Sequence, residues 1–283
     1  MTMLRTPATA LALLSMVAAC EVLPVDAPPG PLFGFVVIGE YGTGLEDQEV
    51  FGHGAFVAFA EPPPDAFLAD PYAALRGTCD IVEMGDVAEI PEVPLPDVAY
   101  VQIDAGATLA LRSPAGRYAG LDRIEGRLGR EVTVAYALPE PVPGHLPDAL
   151  TLDVPGAVFP RFTEEPFSGL TPFELTAPAH EDLDAITTSS VFEWEPSGTD
   201  RAVVMLNVVS RQLQVLVRCY AADDGAFVLP VDTADALGPE FEGHLSTVGR
   251  IGYRITERSD AVLLLATTST RAFVFRPDPP PVF

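Results

Sequence analysis

The chain has no lysine: all 16 of its basic residues are arginine, set against 40 acids, for a formal net charge of −24. Binding to nucleic acid phosphates needs a cationic face, so this balance argues against nucleic acid as a partner. It also opposes direct binding to anionic lipid headgroups. Cysteine is scarce, with three residues. No C-x-x-C or Cys/His cluster occurs, which argues against a structural zinc site. The histidines are His53, His145, His180 and His244. There is no G-x-S-x-G, so a nucleophile elbow has no candidate serine. Long amphipathic periodicity is missing as well, because 29 prolines and 23 glycines leave few windows able to sustain three helical turns.

What is there begins at the N-terminus. Residues 1–20 read MTMLRTPATALALLSMVAAC, with one cation at Arg5, a mainly apolar stretch from Ala8 to Ala19, and then a cysteine. The stretch is about twelve residues, well short of the ~20 that cross a bilayer, and its plan is that of a removable secretory signal. Val17-Ala18-Ala19-Cys20 resembles the lipobox of bacterial lipoproteins. The resemblance implies cleavage after Ala19, lipidation of Cys20 and anchoring through several acyl chains, since one chain alone holds a protein weakly. Glu21 stands where Asp retains lipoproteins at the inner membrane, so the resemblance points to the outer membrane. Loss of residues 1–19 removes Arg5 and no acid, leaving 15 arginines against 40 acids, a net charge of −25. Residues 20–31 follow as a proline-rich tether, whose extended polyproline conformation would reach roughly 30 Å. Two cysteines, Cys79 and Cys219, remain downstream. An exported compartment permits them to pair, and sequence leaves a disulfide and two buried thiols equally open.

The rest predicts a mostly β protein. Short runs rich in β-branched and aromatic residues recur between Pro, Gly and Asp. In the first half they are Leu32–Glu40, Gly54–Ala60, Thr78–Met84, Ala99–Ile103, Thr108–Arg112, Glu131–Ala137 and Ala149–Val154. Residues 32–165 therefore read as an N-terminal β domain, sandwich-like or an open barrel. In the second half, Phe173–Thr176, Val191–Glu195, Ala202–Val209, Gln212–Tyr220, Ala226–Leu229, Val248–Glu257, Ala261–Thr267 and Ala272–Phe275 follow at the spacing of a second sandwich. A brief helix is predicted at Thr233–Leu237, with Asp232 as N-cap. LTAPAHEDLDAITTSSVFEWEP, with Pro178 and Trp194, resembles the start of a fibronectin type III domain. The resemblance covers 171–276 and implies an immunoglobulin/fibronectin III-like fold. Residues 277–283 read as a proline-rich tail.

Candidate chemistry is sparse. His180-Glu181-Asp182-Leu183-Asp184 resembles H-E-x-x-H, but its fifth residue is Asp and Pro178 opposes the helix that motif needs. His53, between two glycines, reads as a bulge or turn histidine. Asp80, Glu83, Asp86, Glu89 and Glu92 recur every third residue near Pro91 and Pro94. Polyproline II has three residues per turn, so they would line one edge able to collect Ca²⁺; the plainer reading is a solvated acidic loop. Asp223-Asp224-Gly225 reads as a tight turn. Arg112, Arg117, Arg123, Arg127 and Arg130 interleave with Asp122, Glu125 and Glu131, as an anion site or as a network of surface pairs. No catalytic residue is singled out and no cofactor other than Ca²⁺ is implied. The expected function is non-catalytic: a lipid-anchored envelope or surface module that binds a protein or a glycan, or serves as a spacer. The alternative is an envelope hydrolase using loop carboxylates, with or without a metal.

Overall fold

In the computed structural model, the residues described are 30–42, 48–83, 95–128, 131–168, 173–178, 191–210, 213–237, 244–258 and 260–275. In chain order the elements are β1 (Leu32–Gly42), β2 (Glu49–Phe59), α1 (Asp65–Ala69), β3 (Thr78–Glu83), β4 (Tyr100–Gln102), β5 (Thr108–Ser113), β6 (Gly116–Leu128) and β7 (Glu131–Ala137). There follow β8 (Val142–Pro143), β9 (Thr151–Val154), β10 (Phe162–Pro166), β11 (Leu175–Ala177), β12 (Val191–Trp194) and β13 (Ala202–Ser210). The last are β14 (Val215–Ala222), β15 (Ala226–Val228), α2 (Val231–Leu237), β16 (His244–Arg258) and β17 (Ala261–Phe275). The protein is mostly β, with two short helices among the described residues.

One large sheet runs in the order β10-β9-β5-β6-β7-β2-β1-β17-β16-β13-β14-β3, with β4 and β8 also paired to β2. β11, β12 and β15 form a separate small sheet. The expected division between 32–165 and 171–276 does not separate two sheets. β1 pairs in parallel with β17, from Leu32 opposite Ala261 to Gly42 opposite Arg271. β3, from the first half of the chain, closes the far edge against β14. The reason is non-local: the chain's first described strand finds its second neighbour only in its last one, and no local pattern announces that pairing.

β1 is a continuous apolar run from Leu32 to Gly39, and the strand is buried along nearly its whole length. A strand covered on both faces needs such a run, where a half-exposed strand would alternate. Its alternate side chains feed two cores. Leu32, Val36 and Ile38 join Phe56 of β2, Leu263 and Leu265 of β17, and residues of β5, β6, β7 and β9 in a first core. Phe33, Phe35 and Val37 join Val57, Phe59, Tyr220, Tyr253 and Leu264 in a second. Gly34 leaves room for this packing, because a Cβ there would lie 2.5 Å from Cδ1 of Phe56. A third core lies between β13–β14 and the small sheet, built on Val204, Leu206, Val217, Cys219, Phe192 and Trp194. The sheet thus has a sandwich-like layer on each side of its middle strands.

Candidate functional site

On the face of the second core the register sets out rows of side chains. One row runs Phe51, Gly39, Thr268, Ile251 and Val203. The next runs Tyr41, Thr270, Gly249 and Met205. The last runs Thr247, Asn207, Arg218 and Asp80. Toward this end the aromatic and aliphatic surface gives way to hydroxyls and an amide. A cavity of about 170 Å³ lies here. Val37, Phe51, Tyr72, Met205 and Ile251 give it apolar walls, and Tyr41, Asn207, Thr247, Thr268 and Thr270 give it polar ones. Asn207 Nδ2 donates to Thr247 Oγ1 at 3.2 Å, and the hydroxyls of Thr268 and Thr270 are 3.2 Å apart. Arg218 Nε donates to Asn207 Oδ1 at 2.9 Å. Burial pushes the Tyr41 phenol above its ordinary value.

A second concavity is an open groove of about 550 Å³ between the segment after α1 and the loops flanking β13 and β14. Asp70, Arg76, Asp200, Arg201, Asp223 and Asp224 line it. Most of these charges are engaged. Asp70 accepts from Arg76 Nη1 at 2.6 Å, from the Tyr253 hydroxyl and from the Tyr72 amide at 3.1 Å. Arg76 Nη2 also donates to the Asp200 carbonyl at 2.9 Å and to Tyr253 at 2.8 Å. Arg201 donates to the Ala69 carbonyl, and its guanidinium lies 5.8 Å from the Tyr253 ring centroid. Burial alone would raise the Asp70 carboxyl, but the Tyr253 and Arg76 hydrogen bonds and the Arg76 charge outweigh it and hold it below the usual range.

Asp223 is the hub of the groove's other wall. Its side chain is 1% exposed and accepts from Trp194 Nε1 at 2.8 Å, from Ser197, and from Arg250 Nη2 at 3.0 Å. Burial opposes its charge, yet the Ser197 hydrogen bonds and then Arg250 lower its pKa overall. The Asp-Asp-Gly reading gave only a turn. Gly225 does have φ +107°, in the region that favours glycine. Asp223's inward role follows from contacts 26–29 residues away, and no sequence signal marks it.

A buried carboxylate also sits at the end of β1. Glu40 is 3% exposed and accepts from Ser269 Oγ at 3.2 Å and from the Leu146 amide at 3.4 Å. The His145 ring nitrogen Nδ1 lies 3.3 Å from Oε2, the same oxygen that accepts from Leu146. The arrangement pins the segment around residues 142–146 to β1 and β17. Sequence reading passed over Glu40, His145 and Ser269 together, since they lie far apart along the chain.

The residues singled out from sequence are placed as follows. Cys79 and Cys219 face each other across β3 and β14 and are joined, with S–S 2.06 Å and Cα–Cα 4.0 Å. Asp80 and Glu83 lie in β3. A strand's period is two, so a separation of three puts them on opposite faces, which corrects the single-edge arrangement for this pair. Asp86, Glu89 and Glu92 lie outside the described residues, as do Cys20, residues 179–190 with His180, and the tail. Among the described residues no group of three or more His, Cys, Asp or Glu is arranged to hold a metal ion. His53 lies within β2 opposite Val37 and Ala137, and its ring is parallel to that of Phe51 at 6.3 Å; it is a strand residue rather than a turn one. Arg112 pairs with Asp153 at 2.5 Å, and Arg123 pairs with Glu125 and, at 3.4 Å, with Asp104. These two arginines make surface pairs. Arg117 is exposed, and Arg130 lies outside the described residues.

No protein-family model matches the chain, and no curated protein matches it. Among solved structures, the chain is similar to the Fcho1 Mu homology domain of Danio rerio with bound Eps15 peptide, at 12% identity over 90% of this chain and 99% of that one. The TM-score is 0.16, and no argument rests on the likeness.

Proposed function

We propose that the protein is a lipid-anchored envelope protein with a non-catalytic binding role toward a protein or glycan. The anchor reading rests on the signal-like N-terminus and the lipobox-like Val17-Ala18-Ala19-Cys20. A disulfide between Cys79 and Cys219 supports an oxidising compartment, where such bonds persist. The small β11–β12–β15 sheet against β13 and β14 supports an immunoglobulin- or fibronectin III-like sandwich for the C-terminal part.

The observation that carries the non-catalytic reading is the state of the groove's carboxylates. A general acid working near neutral pH needs a raised pKa, and a carboxylate acting as base or nucleophile needs an oxygen free of donors, whereas both oxygens of Asp70 and of Asp223 are already engaged. Asp70 and Asp223 are instead both held ionised by donors that fasten loops to the sheet. They act as architecture, and the groove around them is a contact surface. Asp200 and Asp224 are exposed on it. With the chain's net charge of −24, they favour a neutral or basic partner surface.

The test is the intact mass of the protein extracted with detergent from its native membranes, followed by crosslinking in the same membranes. A mass beginning at Cys20 with added acyl chains, and a crosslinked envelope partner lost on Asp200→Arg/Asp224→Arg substitution, is the expected result. An unlipidated mass in the soluble fraction overturns the anchor. Crosslinking unaffected by the charge reversal overturns the groove.

A further inference from the structure

We infer that the cavity beside Asn207 is a binding site for a small, ring-sized organic monoanion with an apolar body and a carboxylate. This goes beyond the envelope-binding proposal and concerns a different concavity.

Size comes first. At about 170 Å³ the cavity is close to the roughly 150 Å³ known to admit benzene. Val37, Phe51, Tyr72, Met205 and Ile251 supply an apolar surface against which such a body packs. Ligand pockets of this kind fix orientation through a few placed polar groups.

The polar side is rich in donors. An amide nitrogen carries two protons, and Asn207 Nδ2 spends one on Thr247. Thr247 accepts that bond, so its own hydroxyl proton remains to be placed. The Thr268–Thr270 contact uses only one of their two protons. Among the described residues, no carboxylate lines the cavity.

The sharper observation lies directly behind Asn207. Arg218 is 9% exposed, and its Nη1 is buried with no hydrogen-bond partner. A buried donor left unpaired is costly, and more so when it belongs to a cation. Its register neighbour on the other side, Asp80, is an exposed residue of the edge strand. The guanidinium is therefore anchored to the cavity wall through Nε while part of its hydrogen-bonding capacity is unused. Arginine and carboxylate match in geometry and charge. A carboxylate seated at Asn207, Thr247 and Thr270, with its ring toward Phe51 and Ile251, would take up the spare donors and bring its charge within one side chain of the Arg218 guanidinium, which stands behind Asn207 rather than in the cavity lining.

The probe is 4-fluorobenzoate, with 4-fluorobenzyl alcohol as its neutral counterpart, titrated against the purified full-length protein by fluorine NMR. Saturable binding of the benzoate, at least tenfold tighter than the alcohol, is expected. Thr270→Val should weaken it several-fold. Arg218→Gln should abolish the preference for the carboxylate. Should Arg218→Gln fail to fold, Asn207→Asp decides. It places a carboxylate beside Arg218, so it should raise the melting temperature while reducing benzoate binding more than tenfold. Equal or tighter binding of the alcohol, absence of saturable benzoate binding, or binding indifferent to Thr270→Val and Asn207→Asp would each overturn the inference. None of these results bears on the anchor or the groove, whose tests are read by mass and crosslinking.

Discussion

Removing the Cys79–Cys219 bond should cost this protein a large part of its stability. The two cysteines are 140 residues apart in sequence, so the bond closes about half of the chain into one loop. In the chain-entropy account, closing a loop of that length removes about 5 kcal/mol of disorder from the unfolded state at 25 °C. Native disulfides in practice contribute roughly 2–5 kcal/mol, and the long loop puts the expectation at about 3–5 kcal/mol. For a chain of this size that corresponds to a fall in melting temperature on the order of 10 °C. Cys219 is fully buried in the third core, so Cys79→Ala/Cys219→Ala adds a packing loss to the entropic one. The reduced wild-type protein isolates the entropic part. The assay is urea unfolding followed by near-ultraviolet circular dichroism, with and without reductant. Reduction should lower the midpoint and steepen the transition, because an uncrosslinked unfolded chain exposes more surface. Coincident midpoints would refute the reasoning, whether because the cysteines are not joined or because the unfolded chain is constrained without them.

Asp223→Asn should cost about 3–5 kcal/mol in the same assay, since it leaves the buried Arg250 guanidinium without its carboxylate. Acid should act through the same groups. Asp70 and Asp223 are held below the usual value, so their contribution is fully present above the unfolded carboxyl pKa of about 4 and is lost as pH falls through their folded values. Melting temperatures recorded from pH 7 to pH 2 should therefore drop below about pH 4, and the drop should be shallower in Asp223→Asn. Gly34→Ala should destabilise by about 1–3 kcal/mol by driving a methyl group against Phe56 in the first core, and a melting curve unchanged from wild type would show that the core yields there at no cost.

Legibility from sequence followed the distance over which each feature is decided. β1 and the first half of β17 could be read directly, because an apolar run with β-branched residues is a local property. The second half of β17 was harder. Thr267 to Thr270 look like a turn between two strands, so the sequence predicts two strands where the fold has one. In the fold they are buried, Ser269 fully: β1 and β16 take both edges of the segment, Ser269 turns to Glu40 on one face, and Thr268 and Thr270 line the cavity on the other. β6 is hidden in the sequence, because its arginines read as charge and glycines interrupt its alternation. The groove and the cavity were not legible at all. Asp223, Arg218 and Asn207 are ordinary residues in sequence, and each acquires its role from a neighbour on another strand.

The adjacency of β1 and β17 also bears on when this chain becomes a folded protein. β2 can pair with β1 as soon as both have emerged, but the other edge of β1 has no neighbour until the final strand arrives. Until then one of the most apolar strands of the molecule has an open edge, the condition under which unfinished chains associate. For a chain exported as proposed, the sheet cannot close while its last strand is still inside the cell. Under that proposal, passage across the membrane and completion of the fold are put in order: the β1–β17 seam in the middle of the sheet can shut only after β17 has crossed.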